Sequence, residues 1–232
     1  MRSEGSQRKA LGQGLDRLSE DMRTLADLAA LAIRKAVDAL QHADASEAEE
    51  VATLDREIYG LQISIEKSCV DLIALHAPVA RDLRTITTSL EITTDLDRVG
   101  RYARDIAEMA VDLANVGEEQ PERIADIVRM GDLTLHMVDT AIRALINRDA
   151  DSVKDMSRFD DTVDDLHDEV FKDLVHMMQQ GELDPAFGAR YVLVNRNLER
   201  IADHAVNIGK RVVYMVTGEQ SKYAGGGPTT GG

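Results

Sequence analysis

Residues 194–215 read VNRNLERIADHAVNIGKRVVYM. Val194, Leu198, Ile201, Ala205, Ile208, Val212 and Met215 recur in alternating steps of four and three. That spacing puts all seven on one stripe of an α-helix and is the period of left-handed helix packing. Upstream, Phe159, Val163, Leu166, Val170 and Met177 follow the same rule. Asp184 and Pro185 open the later helix as cap and first residue, and Gly218 closes it. Gly181 stops the earlier one, which Asp149 is expected to cap. Two helices joined by so short a turn run antiparallel.

The same grammar extends to the rest of the chain. A first helix is expected over 15–41. A second follows Asp44 as N-cap, with Glu47 at the capping-box position, and runs to 75. A third opens at Pro78 and lasts to 114, and a fourth covers 122–147. Residues 115–121 form a polar break. Residues 1–14 and the Gly-rich 219–232 read as disordered tails.

The two halves repeat. At an offset of 105, Ala36, Ala39, Leu40, Asp44, Ala45, Asp55 and Leu61 recur as Ala141, Ala144, Leu145, Asp149, Ala150, Asp160 and Leu166. At an offset of 102, LDRVG (96–100) meets LERIA (198–202), and Ala103 and Ile106 meet Ala205 and Ile208. A repeat of this length is a duplicated domain, not a solenoid unit. The fold expected is all-α: two tandem three-helix bundles, 15–116 and 121–218, related by internal duplication.

Composition agrees and narrows the function. The chain has 232 residues, is 44% hydrophobic and only 3% aromatic, with no tryptophan, so Ala, Leu, Ile, Val and Met fill the core. The net charge is −15 and the pI about 4.8, which argues against nucleic acid and anionic lipid as partners. One cysteine, Cys69, excludes an internal disulfide and fits a reducing, cytoplasmic setting; it reads as a small buried core residue. No apolar run reaches the ~18 residues of a membrane span. No P-loop, His-Glu-x-x-His or Gly-x-Ser-x-Gly motif occurs. Asp164-x-x-His167 and Asp173-x-x-His176 resemble di-iron ligand pairs. But Val163, Leu166 and Val170 claim the helix interior, so both histidines are expected to face solvent. The stripe at 28–32, LAALA, is the candidate surface for a homodimer if it is not core.

The chemistry lies in acids. Asp160, Asp161, Asp164, Asp165, Asp168, Glu169 and Asp173 crowd the fifth helix. A run of charge is most often a solvated face. The sixth helix adds Glu199 and Asp203, one turn apart, and Asn207 a turn further. In an antiparallel pair facing residues keep a constant index sum, and Asp164 with Glu199 gives the same sum as Asp160 with Asp203. Four carboxylates thus line one outer groove. Uncompensated acids at close range call for protons or a cation. Oxygen-only ligands select hard ions: iron, Mn, Mg or Ca. Asp160, Asp164, Glu199 and Asp203 are the expected metal ligands, with Asp168 and Asn207 as outer ones. In the first repeat their counterparts are Asp55, Tyr59, Asp97 and Arg101. There Arg101 is expected to pair with Asp55 and Tyr59 to donate to Asp97, leaving no vacancy for metal.

The chain resembles the PhoU family of phosphate-uptake regulators. The likeness spans roughly 15–218 and is most specific at NLERIADHAVNI (197–208), with DLDRVG (95–100) and APVARDLR (77–84) beside it. It implies two three-helix bundles, in some members with iron or other metal clusters on Glu/Asp-x-x-x-Asp motifs; Arg101 stands where that pattern has an acid. It implies a non-enzymatic cytoplasmic regulator that restrains phosphate uptake. The partners implied are the ATPase and permease of the phosphate ABC transporter, at the inner face of the membrane, and a membrane sensor histidine kinase. The residues themselves leave two alternatives: a metal-dependent carboxylate-bundle enzyme or metal store, and a plain helical scaffold.

Overall fold

A computed structural model describes residues 4–42, 44–114 and 124–219. These form six helices: α1 (Glu4–His42), α2 (Ala45–His76), α3 (Ala80–Ala114), α4 (Ile124–Asn147), α5 (Met156–Gln180) and α6 (Pro185–Thr217). The polar break at 115–121 and the tail beyond 219 lie outside the described residues.

Local chemistry sets most of the ends. The Asp44 carboxylate accepts from the Ser46 N–H at 2.8 Å, and Asp184 accepts from the Ala186 N–H at 2.8 Å, with Pro185 on the first turn. Gly181 and Gly218 close α5 and α6 in the left-handed region, at φ 75° and 79°. Three expectations need correction. Residues 4–14, read as tail, are the first turns of α1. Asp149 does not open α5: its carboxylate takes the Asp151 N–H at 2.9 Å in a turn, and the helix starts seven residues later, at Met156. Glu47 does not reach back to its cap but binds Lys35 Nζ of α1 at 2.6 Å, tying α1 to α2.

The seam of α6 is core, as its period requires: its seven members are at most 3% exposed. In α5, Val163, Leu166 and Val170 are buried, joined by Leu174. Helices α1, α2 and α3 form one bundle and α4, α5 and α6 the other. The bundles meet where α1 packs on α4 and α3 on α6, and one hydrophobic cluster runs through both. A four-helix waist results, with α2 and α5 outermost. Gly131 of α4 permits the close α1–α4 approach, since a Cβ there would stand 2.8 Å from Val37 Cγ2. The 28–32 stripe belongs to this core: Ala29, Ala30 and Ala32 are buried and only Leu31 is open, so it offers no dimer face. Cys69 is fully buried.

Candidate metal centre

Helices α5 and α6 carry the acidic groove. Asp160 and Asp164 lie one turn apart on α5, Glu199 and Asp203 one turn apart on α6, each just off the buried seam. Asp160, Glu199 and Asp203 are half-buried and Asp164 is exposed, and their nearness to one another shows in their protonation. Burial first, then the charges of Asp164 and Asp203, push Asp160 up to about 6; Lys210 opposes weakly. Asp164 is raised by burial and then by Asp203 and Asp161, against His167. Glu199 is raised by burial and then by Asp203, against Arg200 and His167. Arg200 forms two long ion pairs at the groove: its Nε is 3.6 Å from Glu199 and its Nη1 3.7 Å from Asp203.

Asp160, Asp164, Glu199 and Asp203 thus act on one another's charge across the groove. Asp168 does not join them: it is exposed and 3.8 Å from Lys172 Nζ. Asn207 sits one turn past Asp203, half-buried. Among the described residues, no three His, Cys, Asp or Glu side chains converge closely enough to hold an ion. The donor set, all carboxylate, suits a hard cation in charge and ligand type.

His167 departs from its expected solvent position. It is half-buried at the groove edge, its Nδ1 is buried with no partner, and it lowers the carboxylates of Asp164 and Glu199. His176 is exposed, as its side of the helix implies.

The first repeat neutralises its acids by a different pairing. Arg101 Nη2 binds Asp97 Oδ2 at 2.7 Å, one turn along the same helix. Asp55 takes Arg104 instead, at 3.0 Å, and that guanidinium also holds Asp105 at 2.7 Å. Tyr59 is half exposed, and Asp97 Oδ1 is buried without a partner. Burial raises Asp97 even so, with Arg101 opposing.

Sequence reading missed a polar cluster between the bundles. Asp95 of α3, one turn from Glu91, meets His204 Nδ1 at 2.9 Å and Arg211 Nη1 at 2.7 Å. Arg211 Nε also lies 3.5 Å from Glu91, and Tyr102 stacks on the His204 ring. The signal was the Glu91–Asp95 pair itself: acids on the flank opposite Asp97 must face another helix.

The sequence pattern of the PhoU domain matches residues 22–110 and again 127–212. The chain belongs to the PhoU family. The two PhoU domains coincide with the two bundles. Among curated relatives, the "Phosphate-specific transport system accessory protein PhoU homolog" of Synechocystis sp. is 33% identical over 216 residues, 92% of this chain and 94% of that protein. A Clostridium acetobutylicum protein of the same description is 31% identical, covering 92% of this chain and 97% of its own. Among solved structures, PhoU from Pseudomonas aeruginosa superposes with a TM-score of 0.86 at 30% identity, over 90% of this chain and 99% of that one. The phosphate transport system regulatory protein PhoU of Streptococcus pneumoniae gives 0.82 at 28%, over 91% and 99%. As a PhoU protein the chain is an accessory, regulatory protein and not an enzyme.

Proposed function

We propose that this protein regulates phosphate uptake and phosphate signalling from the cytoplasm, by contact with the phosphate ABC transporter and a sensor histidine kinase, and that the α5–α6 groove holds a metal ion. Its end-to-end likeness to accessory proteins of the phosphate-specific transport system carries the first part. That no described helix is long and apolar enough to cross a membrane fits a protein that reaches the transporter through contact. The raised carboxylates of Asp160, Asp164 and Glu199 support the second part: they are a charge excess that a divalent or trivalent ion relieves. Iron, Mn, Mg and Ca are the ions that suit an all-oxygen set. When bound, the ion supplies charge neutralisation and cross-linking of α5 to α6. Metal storage or carboxylate-bundle catalysis has less support, because the relatives that match along the chain are described as transport accessory proteins.

The deciding experiment is co-purification. The tagged protein, expressed with the transporter, is expected to bring down the transporter ATPase, and cells lacking it to take up phosphate without restraint when phosphate is plentiful. No association, together with normal restraint in its absence, overturns the regulatory role.

A further inference from the structure

The α5–α6 groove changes character along its length. Asn195 Nδ2 of α6 donates to the His167 carbonyl of α5 at 2.9 Å, which fixes how the two antiparallel helices lie level. One way from that crossing stand Asp164 and Asp160 on α5, with Glu199 and Asp203 on α6. The other way, Phe171 follows Asp164 by seven residues, two turns on and along the same face. Val192 precedes Glu199 by seven residues in the same fashion. Phe171 is 45% exposed, and Leu193, beside Val192, is 46% exposed, while Val192 itself packs partly against the core. The groove thus has an acidic half and an apolar half. At the crossing between them Asn195 is fully buried, and its Oδ1 has no hydrogen-bond partner.

The duplicate groove of the first repeat shows what settles such acids. Asp97 and Asp55, the counterparts of Glu199 and Asp160, are held by Arg101 at 2.7 Å and Arg104 at 3.0 Å. These are two guanidiniums three residues apart on one helix. In the second groove only Arg200 approaches, at 3.6 and 3.7 Å. Where the second groove has Phe171, the first has an acid, Glu66. We propose that the α5–α6 groove receives a helical segment of a partner protein that carries two arginines one turn apart and, two turns further on, an apolar side chain. The arginines lie against Asp160, Asp164, Glu199 and Asp203, and the apolar side chain covers Phe171 and Leu193. Complementary charge selects a basic segment and disfavours nucleic acid and anionic lipid, which the carboxylates repel. A helix laid in a groove between two others is a common mode of peptide recognition. Arg196, exposed on α6 between Leu193 and Glu199, keeps the arginines off the apolar half and so sets the direction of the segment. The proposed metal shares this groove, yet docking does not rest on it: guanidinium and metal ion are rival occupants of the acidic half.

The experiment is fluorescence anisotropy with the full chain, freed of metal by chelator. The probe is a labelled, alanine-based helical peptide bearing an Arg-x-x-Arg pair and a leucine two turns after it. Saturable one-to-one binding is expected, with a scrambled peptide of the same composition about tenfold weaker or more. Phe171→Ala should weaken binding about tenfold, through loss of the anchor contact. Asp164→Asn should weaken it about threefold, as for an exposed ion pair. Glu169→Gln, the same change of charge on the exposed far side of α5, should leave it unaltered. Circular dichroism checks that each variant keeps its helices. Metal content of the same preparations before chelation tests the metal site separately, so either reading can fail alone. If the scrambled peptide binds equally, or Glu169→Gln costs as much as Asp164→Asn, binding follows net charge and the proposal is overturned. Unchanged binding by Phe171→Ala overturns it as well. So does a wild-type dimer in light scattering that Phe171→Ala splits, since the occupant would then be a second copy of this chain.

Discussion

His204 Nδ1 of α6 and Asp95 Oδ1 of α3 lie 2.9 Å apart, buried where the two bundles meet. The same carboxylate receives Arg211 at 2.7 Å, so one acid of the first repeat holds two bases of the second. His204 follows Asp203 directly. The α6 backbone therefore carries the acidic groove on one face and the bundle clasp on the next.

Removing that acid should loosen the waist. Asp95→Ala leaves His204 and Arg211 without their acceptor in a nearly dry site. A loss of about 1–3 kcal/mol is expected, as for other buried groups stripped of a partner. Urea denaturation measures it. A double-mutant cycle with Arg211→Gln should show the two losses to be less than additive; full additivity would mean the contact contributes nothing.

The groove should bind metal and protons in competition. Asp160 is raised above its ordinary value, so its contribution to stability is present below about pH 4 and is lost as pH rises through about 6. Metal replaces the missing proton. Stabilisation by Mn²⁺ or iron should therefore be larger at pH 7 than at pH 5, seen as a rise in melting temperature. Binding to the native state alone adds about 2.7 kcal/mol when free metal is 100-fold above its dissociation constant. Asp203→Arg should abolish both metal content and that rise. An Asp203→Arg protein that melts like wild type in each metal would leave the groove a solvated acidic face.

Arg101 is expected to matter most at neutral pH. It is the counter-ion of Asp97, whose side chain is 4% exposed. Arg101→Ala should destabilise by about 1–3 kcal/mol at pH 7, because a buried carboxylate loses its partner. Asp97 is already raised, and the variant raises it further. The deficit should shrink as pH falls and the carboxyl protonates, and Asp97→Asn in the same background should remove the pH dependence. A deficit that stays constant from pH 7 to pH 4 would contradict this.

Cys69 should be silent. Burial, with Glu66 nearby, pushes its thiol up to about 12. Thiolate is the reactive species, so iodoacetamide should label the native protein only at the rate of its opening, and label urea-unfolded protein rapidly. Prompt native labelling would place Cys69 at the surface.

The fold was legible because the seam of α6, the cap at Asp184 and the duplicated residues all obey local rules that packing reinforces. The flank that Asp160, Asp164, Glu199 and Asp203 share follows from helix period in the same way, while their role as metal ligands rests on the titration above. Pairing in the first repeat was not. Arg101 was assigned across the hairpin to Asp55, but a residue one turn away on its own helix was nearer and more deeply buried. The turn also moved the register: Ile58 meets Gly100 and Asp55 meets Arg104, so the α2–α3 hairpin folds about Val79 and not Pro78. The start of α5 was misplaced because Asp149 satisfies a neighbouring N–H in a turn as readily as in a helix. The Asp95 cluster depends on how two bundles dock, which no single-helix pattern encodes.

The unequal pairing of the two repeats has a consequence for recognition at a distance. A duplicated molecule with two matching flanks would present itself identically in two poses, and a partner would bind either. Here the α2–α3 flank holds its guanidiniums against its acids at 2.7 and 3.0 Å, while the α5–α6 flank keeps raised carboxylates that Arg200 approaches only to 3.6 and 3.7 Å. The electric field is therefore lopsided along the row of helices, and a positively charged surface is steered toward one end. Substituting a tyrosine and an arginine for two acids gives a pseudo-symmetric body a front and a back.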